Sequence, residues 1–266
     1  MADLYGLDAY APKDVASRID AVGVAKARLP LLSLTLLGVL AGAFIGLGSM
    51  LYTLVAADPS LGFAARRLVG GAVFSLGLVL VVVAGAELFT GNNLIAMAWA
   101  SRRVSTTELL RNWLVVGVAN AVGAAGLALL VAWSGHGTLN GGAVGATVIE
   151  IARSKVQLDP GTAFVRGLLC NVLVCMAVWM AMAGRSVTDK VVAIVFPITA
   201  FVAAGFEHSI ANLYFFPLAL LLGAPLEPSA IALNLAAVIA GNLVGGSVLV
   251  ALVYWVIYLR PGSRSQ

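Results

Sequence analysis

The chain has 266 residues, 61% of them hydrophobic and only 11% charged, with a mean hydropathy of +1.01. A soluble domain of this length carries about 25% charged residues, so a water-soluble fold is excluded and a bilayer is the solvent that fits. The net charge of +4 is small, and the Lys and Arg residues stand between apolar runs rather than in one patch, which excludes nucleic acid as a partner.

The first 28 residues mix acids and bases without an apolar core, so no cleavable signal is expected and the first span does the targeting. Between Pro12 and Ala27, Val15, Ile19 and Val22 share one helical stripe with Lys13, Asp14, Arg18 and Asp20 elsewhere. This suits either a short amphipathic helix on the inner face or a solvated leader. Runs long enough to cross hydrocarbon, which takes about 20 residues, lie at 29–55, 113–133, 163–183 and 230–259. Two further runs, 68–88 and 191–206, end in polar stretches and resume as short apolar pieces at 94–99 and 213–222. They read as broken helices. Free backbone polar groups cannot face lipid, so a break at membrane depth is buried in protein or lines a pathway.

The expected organisation is an N-terminal cytoplasmic segment at 1–28, a six-helix transmembrane domain at 29–259 and a cytoplasmic tail at 260–266. Six spans put both termini on one side. If that side is cytoplasmic it holds eleven of the 16 Lys and Arg residues, and the other side keeps Arg66, Arg67, Arg153, Lys155 and Arg166. The positive-inside rule therefore assigns both termini to the cytoplasm. Tyr254, Trp255 and Tyr258 then form an aromatic anchor at the inner interface.

The two breaks resemble each other. Ala84, Gly85, Glu87 and Asn92 recur as Ala204, Gly205, Glu207 and Asn212 at an offset of 120 positions. In the spans that follow, Asn112, Asn120 and Gly123 recur as Asn234, Asn242 and Gly245 at an offset of 122. Each copy holds three spans, an odd number, so the second is expected to enter the membrane inverted, which places a site at the midplane. The Asn pairs read as hydrogen-bonding glue between helices. Glu87 and Glu207 sit where a carboxylate can accept backbone N–H groups freed by the break.

His208, next to Glu207 in the second break, is the sharpest candidate, because an imidazole and a carboxylate inside hydrocarbon face a pathway or pair with each other. Near neutral pH an unperturbed imidazole exchanges a proton. Thr90 lies in the first break, where its hydroxyl and nearby N–H groups suit an acceptor-rich solute. Asn171 shares a helical stripe with Val174 and Val178, and Phe74 with Leu78; such stripes are pore or core. Lys155 falls in a long loop near Asp159 and Pro160, and spacing alone makes it a solvated charge. Cys170 and Cys175, five positions apart on one helix, point to different faces, which argues against a disulfide or metal pair.

Glu87-Leu88-Phe89-Thr90-Gly91, Leu169-Cys170-Asn171 continuing to Cys175, the run Gly205 to Asn212 and Gly241-Asn242 together resemble the formate/nitrite transporter family, over about Lys26 to Arg260. The resemblance implies an aquaporin-like fold of six membrane helices with the second and fifth broken, assembled as a homo-pentamer in the inner membrane with one pore per subunit. It carries the family's central histidine onto His208, its broken-helix threonine onto Thr90, its fourth-helix asparagine onto Asn171 and its vestibule lysine onto Lys155. Its hydrophobic constrictions fall on Phe74, Leu78, Leu88, Phe89, Val174 and Phe201. The segments around Gly184-Arg185-Ser186 and Tyr254 to Arg260 resemble formate channels, whereas the Glu87 to Gly91 string and the connection around Gly223 look more like nitrite channels.

The expected substrate is therefore a small monovalent anion of a weak acid, formate first, with nitrite and hydrosulphide as alternatives and protons as partners. On this reading Lys155 attracts the anion, Thr90 and Asn171 orient it, and His208 with Glu207 completes the path. Either His208 relays a proton and the neutral acid crosses, or the anion is held by a charged His208. A neutral-solute pore of the aquaporin type is the competing class, but the Asn-Pro-Ala signature of those proteins is absent. A membrane enzyme is disfavoured: His208 and Glu207 have no accompanying nucleophile motif, metal cluster or phosphate loop, and no cofactor is expected.

Overall fold

The computed structural model describes residues 9–260, which are helical throughout their regular parts with no strand. Apart from Arg260, the expected tail lies outside the described residues. In chain order the helices are α1 (Pro12–Ala27), α2 (Leu31–Ala56), α3 (Phe63–Gly85), α4 (Ala96–Ala100), α5 (Thr106–Trp133), α6 (Ala143–Val156), α7 (Pro160–Ala183), α8 (Val187–Ala204), α9 (Ser209–Leu221) and α10 (Pro228–Tyr258). Six of them, α2, α3, α5, α7, α8 and α10, are long and apolar enough to cross a membrane.

Local chemistry sets the helix ends. The run at 113–133 begins earlier than its apolar stretch, at Thr106, because Ser105 and Glu108 form a reciprocal capping box. Ser186 and Asp189 do the same for α8. Asp159 accepts from Thr162 ahead of Pro160 at the start of α7, and these bonds hold its carboxyl below its ordinary range. In α3 the last turn loosens into a π-helix at Leu80–Gly85, immediately before the break.

Close crossings hold the bundle together. α2 packs on α5 and α7 on α10. Lipid tails are as apolar as leucine, so packing rather than water release drives such contacts, and small residues permit close approach. A Cβ on Gly42 of α2 would overlap the Asn120 carbonyl and lie 2.8 Å from the Ala124 nitrogen. Gly167 of α7 is confined in the same way, a Cβ there lying 2.8 Å from the Val238 carbonyl oxygen of α10.

The structure corrects two expectations. α1 is a helix over the expected Pro12–Ala27 and not a solvated leader, and its apolar stripe packs on protein: Val15, Ala16 and Ile19 are buried with Leu94, Met97, Trp179 and Val250, and Val22 is half-buried. Arg103 bonds Asp20 at 2.5 Å, and Arg18 and Arg185 both stack on Tyr10. Trp179 in turn stacks on Tyr254 at 4.1 Å, so the aromatic cluster expected as an interfacial anchor also seats α1. Secondly, the stretch read as a long loop contains α6, and Lys155 stands in its last turn.

Gly42→Val should lower the thermal midpoint of the detergent-solubilised protein by several degrees, since forcing a side chain into a filled contact costs about 1–3 kcal/mol. Gly126→Val, on the same bundle with nothing within 4 Å of its Cβ position, should leave the midpoint unchanged.

Candidate functional site

Both breaks begin with a glycine in the left-handed region, Gly85 (φ +86°) at the end of α3 and Gly205 (φ +77°) after α8, a conformation that side chains resist. The chain then runs extended through Glu87 and Glu207 before helix resumes. The backbone groups released there are taken by asparagines of the next span. Asn120 Oδ1 accepts from Phe89 N–H at 2.9 Å, and its Nδ2 donates to the Gly38 and Glu87 carbonyls at 2.7 and 2.9 Å. Asn242 repeats this with Ser209 N–H at 3.0 Å and the Gly167 and Glu207 carbonyls at 2.7 and 3.0 Å.

The carboxylates do something else. Glu87 is bound by Lys26 Nζ at 2.6 Å and by Asn92 Nδ2 at 2.7 Å; Asn92 also donates to Asn112, whose Nδ2 returns to the Lys26 carbonyl at 3.1 Å. Glu207 is bound by Lys155 Nζ at 3.0 and 2.9 Å and by Asn212 at 2.8 Å; Asn212 donates to Asn234, whose Nδ2 returns to the Lys155 carbonyl at 2.8 Å. The two networks match residue for residue. The expectation that the glutamates accept freed backbone N–H groups is therefore corrected: asparagines take those donors, and the glutamates neutralise a lysine. Lys155 is not a solvated charge, its side chain being 13% exposed against 5% for Glu207.

Two cavities flank the breaks and share no lining residue. One, of about 180 Å³, is lined by Phe74, Phe201, Phe215, Lys155, Glu207 and His208 among others. The second, of about 400 Å³, is lined by Lys26, Leu78, Glu87, Leu88, Asn92 and Val178 among others. Phe74, on the first cavity, and Leu78, on the second, stand one turn apart on α3, about 6 Å along its axis, with an apolar layer between them. Phe74 meets Phe201 edge to face at 5.6 Å, and Phe201 stacks on His208 at 5.9 Å.

Within that layer His208 is buried and caps α9: its Nδ1 accepts from Ala211 N–H at 3.2 Å. A nitrogen facing an N–H donor carries no proton of its own, so the ring's proton is on Nε2, 3.0 Å from Thr90 Oγ1. Nε2–H donates to Thr90, which leaves the Thr90 hydroxyl proton for another acceptor. Thr90 and Asn171 are fully buried and line neither cavity; Asn171 braces the break. Its Nδ2 is shared by the Thr90 carbonyl (3.2 Å), Asn93 Oδ1 (2.7 Å) and the Asn242 carbonyl (2.7 Å), tying the first break to α10. Phe89 and Val174 also line neither cavity and are buried in the core. Phe89 is held by the Asn120 bond so that its ring faces Gly117 of α5. Cys170 and Cys175 are buried free thiols, and Cys175 Sγ reaches the Thr90 carbonyl at 3.4 Å.

Sequence reasoning overlooked Lys26, the counterpart of Lys155. Its offset is 129 positions rather than 120, because α2, α3 and the stretch joining them are together longer than α7, α8 and theirs, so a search at the break's offset passes over it.

A family model described as formate/nitrite transporter matches residues 13–256. The chain is 39% identical to the formate channel FocA of Escherichia coli strain K12 over 277 aligned positions, covering 97% of each. Among solved structures, one described as an FNT family ion channel superposes with a TM-score of 0.84 at 33% identity, covering 93% of this chain and 99% of the other. Another, described as a pentameric formate channel with formate bound, superposes with a TM-score of 0.78 at 38% identity, covering 86% and 98%.

Lys155→Met should destabilise the protein by about 3–5 kcal/mol, because it strands Glu207 as an uncompensated buried charge. The double variant Lys155→Met/Glu207→Gln should recover much of the loss. Thermal denaturation of the three proteins side by side checks this.

Proposed function

Because the chain belongs to the formate/nitrite transporter family, we propose that it conducts small monovalent anions of weak acids, formate foremost, as a homo-pentamer with one path through each subunit. The observation that carries this reading is the arrangement of two cavities, each lined by a lysine–glutamate network, on either side of a buried Thr–His pair and the Phe74–Phe201 contact. The formate relatives and the pentameric formate channel of similar fold support the choice of solute and of assembly. A nitrite ion is of similar size and charge and takes the same route. No side chain in this arrangement suggests an enzymatic reaction.

The two halves are proposed to lie inverted in the inner membrane. Each supplies a helix ending in Lys26 or Lys155, a span, a broken span and a further span; three spans reverse the direction of the second half. With the termini cytoplasmic, as the distribution of Lys and Arg favours, the Lys155 cavity opens outward and the Lys26 cavity inward.

Crossing the layer as an ion would cost several kcal/mol, whereas the neutral acid avoids most of that. The formate proton therefore travels with it. His208 supports this as a neutral donor rather than as a proton store, since an imidazolium would turn Nδ1–H against the Ala211 N–H. Nε2–H holds the Thr90 oxygen as acceptor and directs the Thr90 hydroxyl proton at the passing oxygen. Thr90 is the group that touches the solute; Asn171 and Glu207 position the breaks around it.

Formate flux and internal pH recorded together in liposomes between about pH 5 and 8 test the mechanism. His208→Asn should slow formate several-fold yet keep one proton per formate. Coupling that collapses in folded His208→Asn would instead make the imidazole a relay. Single cysteines beside Arg102 and Arg185 should react only with reagent on the cytoplasmic side; labelling from outside alone would reverse the orientation.

A further inference from the structure

The Lys155 cavity is lined by four charged side chains, Arg67, Lys155, Arg166 and Glu207. Glu207 places both carboxylate oxygens on Lys155, at 3.0 and 2.9 Å, so that pair presents a dipole and no net charge to an approaching ion. The two arginines have no such compensation. Arg67 Nε donates to the Ala203 carbonyl at 2.9 Å and Nη1 lies 3.4 Å from the Tyr52 hydroxyl, both neutral partners. Its Nη2 leans over the break, where a Cβ on Gly205 would meet it at 2.6 Å. Glycine at 205 thus serves the left-handed turn and also leaves room for a guanidinium. The Arg166 carbonyl accepts Glu207 N–H at 3.3 Å, which holds that residue at the level of the break. Arg166 lines the cavity, and its guanidinium has no hydrogen-bond or ion-pair partner among the described residues.

We propose that Arg67 and Arg166, rather than Lys155, form the capture site for the anion, and that it takes small planar oxyanions. Two uncompensated positive charges stand on the cavity wall above the Phe74–Phe201 pair, which a solute meets before the apolar layer. A guanidinium presents N–H groups in a planar fork that matches two oxygens held 120° apart, as in a carboxylate or nitrite, and stays charged at any working pH. A spherical halide or hydrosulphide engages only one arm. Lys155 then serves as the counter-ion that lets Glu207 remain buried. This inference rests on the anion-channel reading above and adds the residues that select its substrate.

Half-saturating formate for uptake into liposomes should rise about fivefold in Arg166→Gln at low ionic strength, the effect of one unit charge at roughly 4 Å in water. The difference should fall below about twofold in 0.5 M salt, where screening acts within a few ångströms. Arg153→Gln removes an exposed charge from the same helix as Lys155, outside this cavity, and should not move the value. Arg166→Gln indistinguishable from the parent at low salt, or Arg153→Gln shifting it equally, overturns the proposal.

A second readout needs no transport. In detergent, Arg166→Cys should react several-fold faster with an anionic than with a cationic methanethiosulfonate, formate should slow the anionic reaction, and Arg67→Gln should abolish the preference while Arg67→Lys keeps it. Equal rates for the two reagents refute the site. Parent protein that is folded but passes no formate sinks the channel reading instead, and the labelling rates still decide the capture site.

Discussion

A backbone N–H or C=O released by a helix break inside hydrocarbon has no water to turn to, and an unsatisfied group there costs several kcal/mol. Both breaks here meet that constraint with an asparagine from the following span, Asn120 or Asn242, which accepts one freed N–H and donates to two carbonyls. The close glycine crossings of α2 with α5 and of α7 with α10 follow from it. Asn120 bonds the Gly38 carbonyl and Asn242 the Gly167 carbonyl, which requires neighbouring backbones to approach without side chains between them.

A second layer of side chains deals with charge. Burying Glu87 and Glu207 alone would be prohibitive, and each is matched by a lysine from the end of α1 or α6 and by two linked asparagines. Those helices therefore have a purpose beyond covering the bundle: each delivers an ammonium group to one break. The arrangement pairs the charges at both breaks, while Arg67 and Arg166 line the Lys155 cavity without an ion-pair partner among the described residues. The outcome at the centre is an apolar layer with a single hydrogen-bonding pair, whose direction is imposed by the α9 cap on His208.

Much of this was legible in the residues. Hydropathy located six spans, and the polar interruptions at 89–93 and 207–212 located both breaks, since such stretches inside apolar runs are too costly to be accidental. Spacing also exposed the repeat through Glu87, Asn92, Asn112 and Asn120 and their counterparts. Less legible were the ends of α5, where a capping box extends helix into polar sequence, and α6, whose mixed composition reads as loop.

What the sequence by itself determined is the membrane class, the number of spans, the position of the breaks and the identity of the polar residues inside them, because transfer free energies and helical period act locally along the chain. Only the tertiary structure decided which polar group meets which. Asn120 rather than Glu87 accepts the freed Phe89 N–H of its break, Lys155 is neutralised by Glu207, Lys26 is its counterpart, and Phe89 and Val174 turn into the core while Phe74 and Phe201 meet edge to face on the cavity wall. These pairings join residues from tens to more than a hundred positions apart, and the packing of whole helices sets their geometry. No local pattern contains that information.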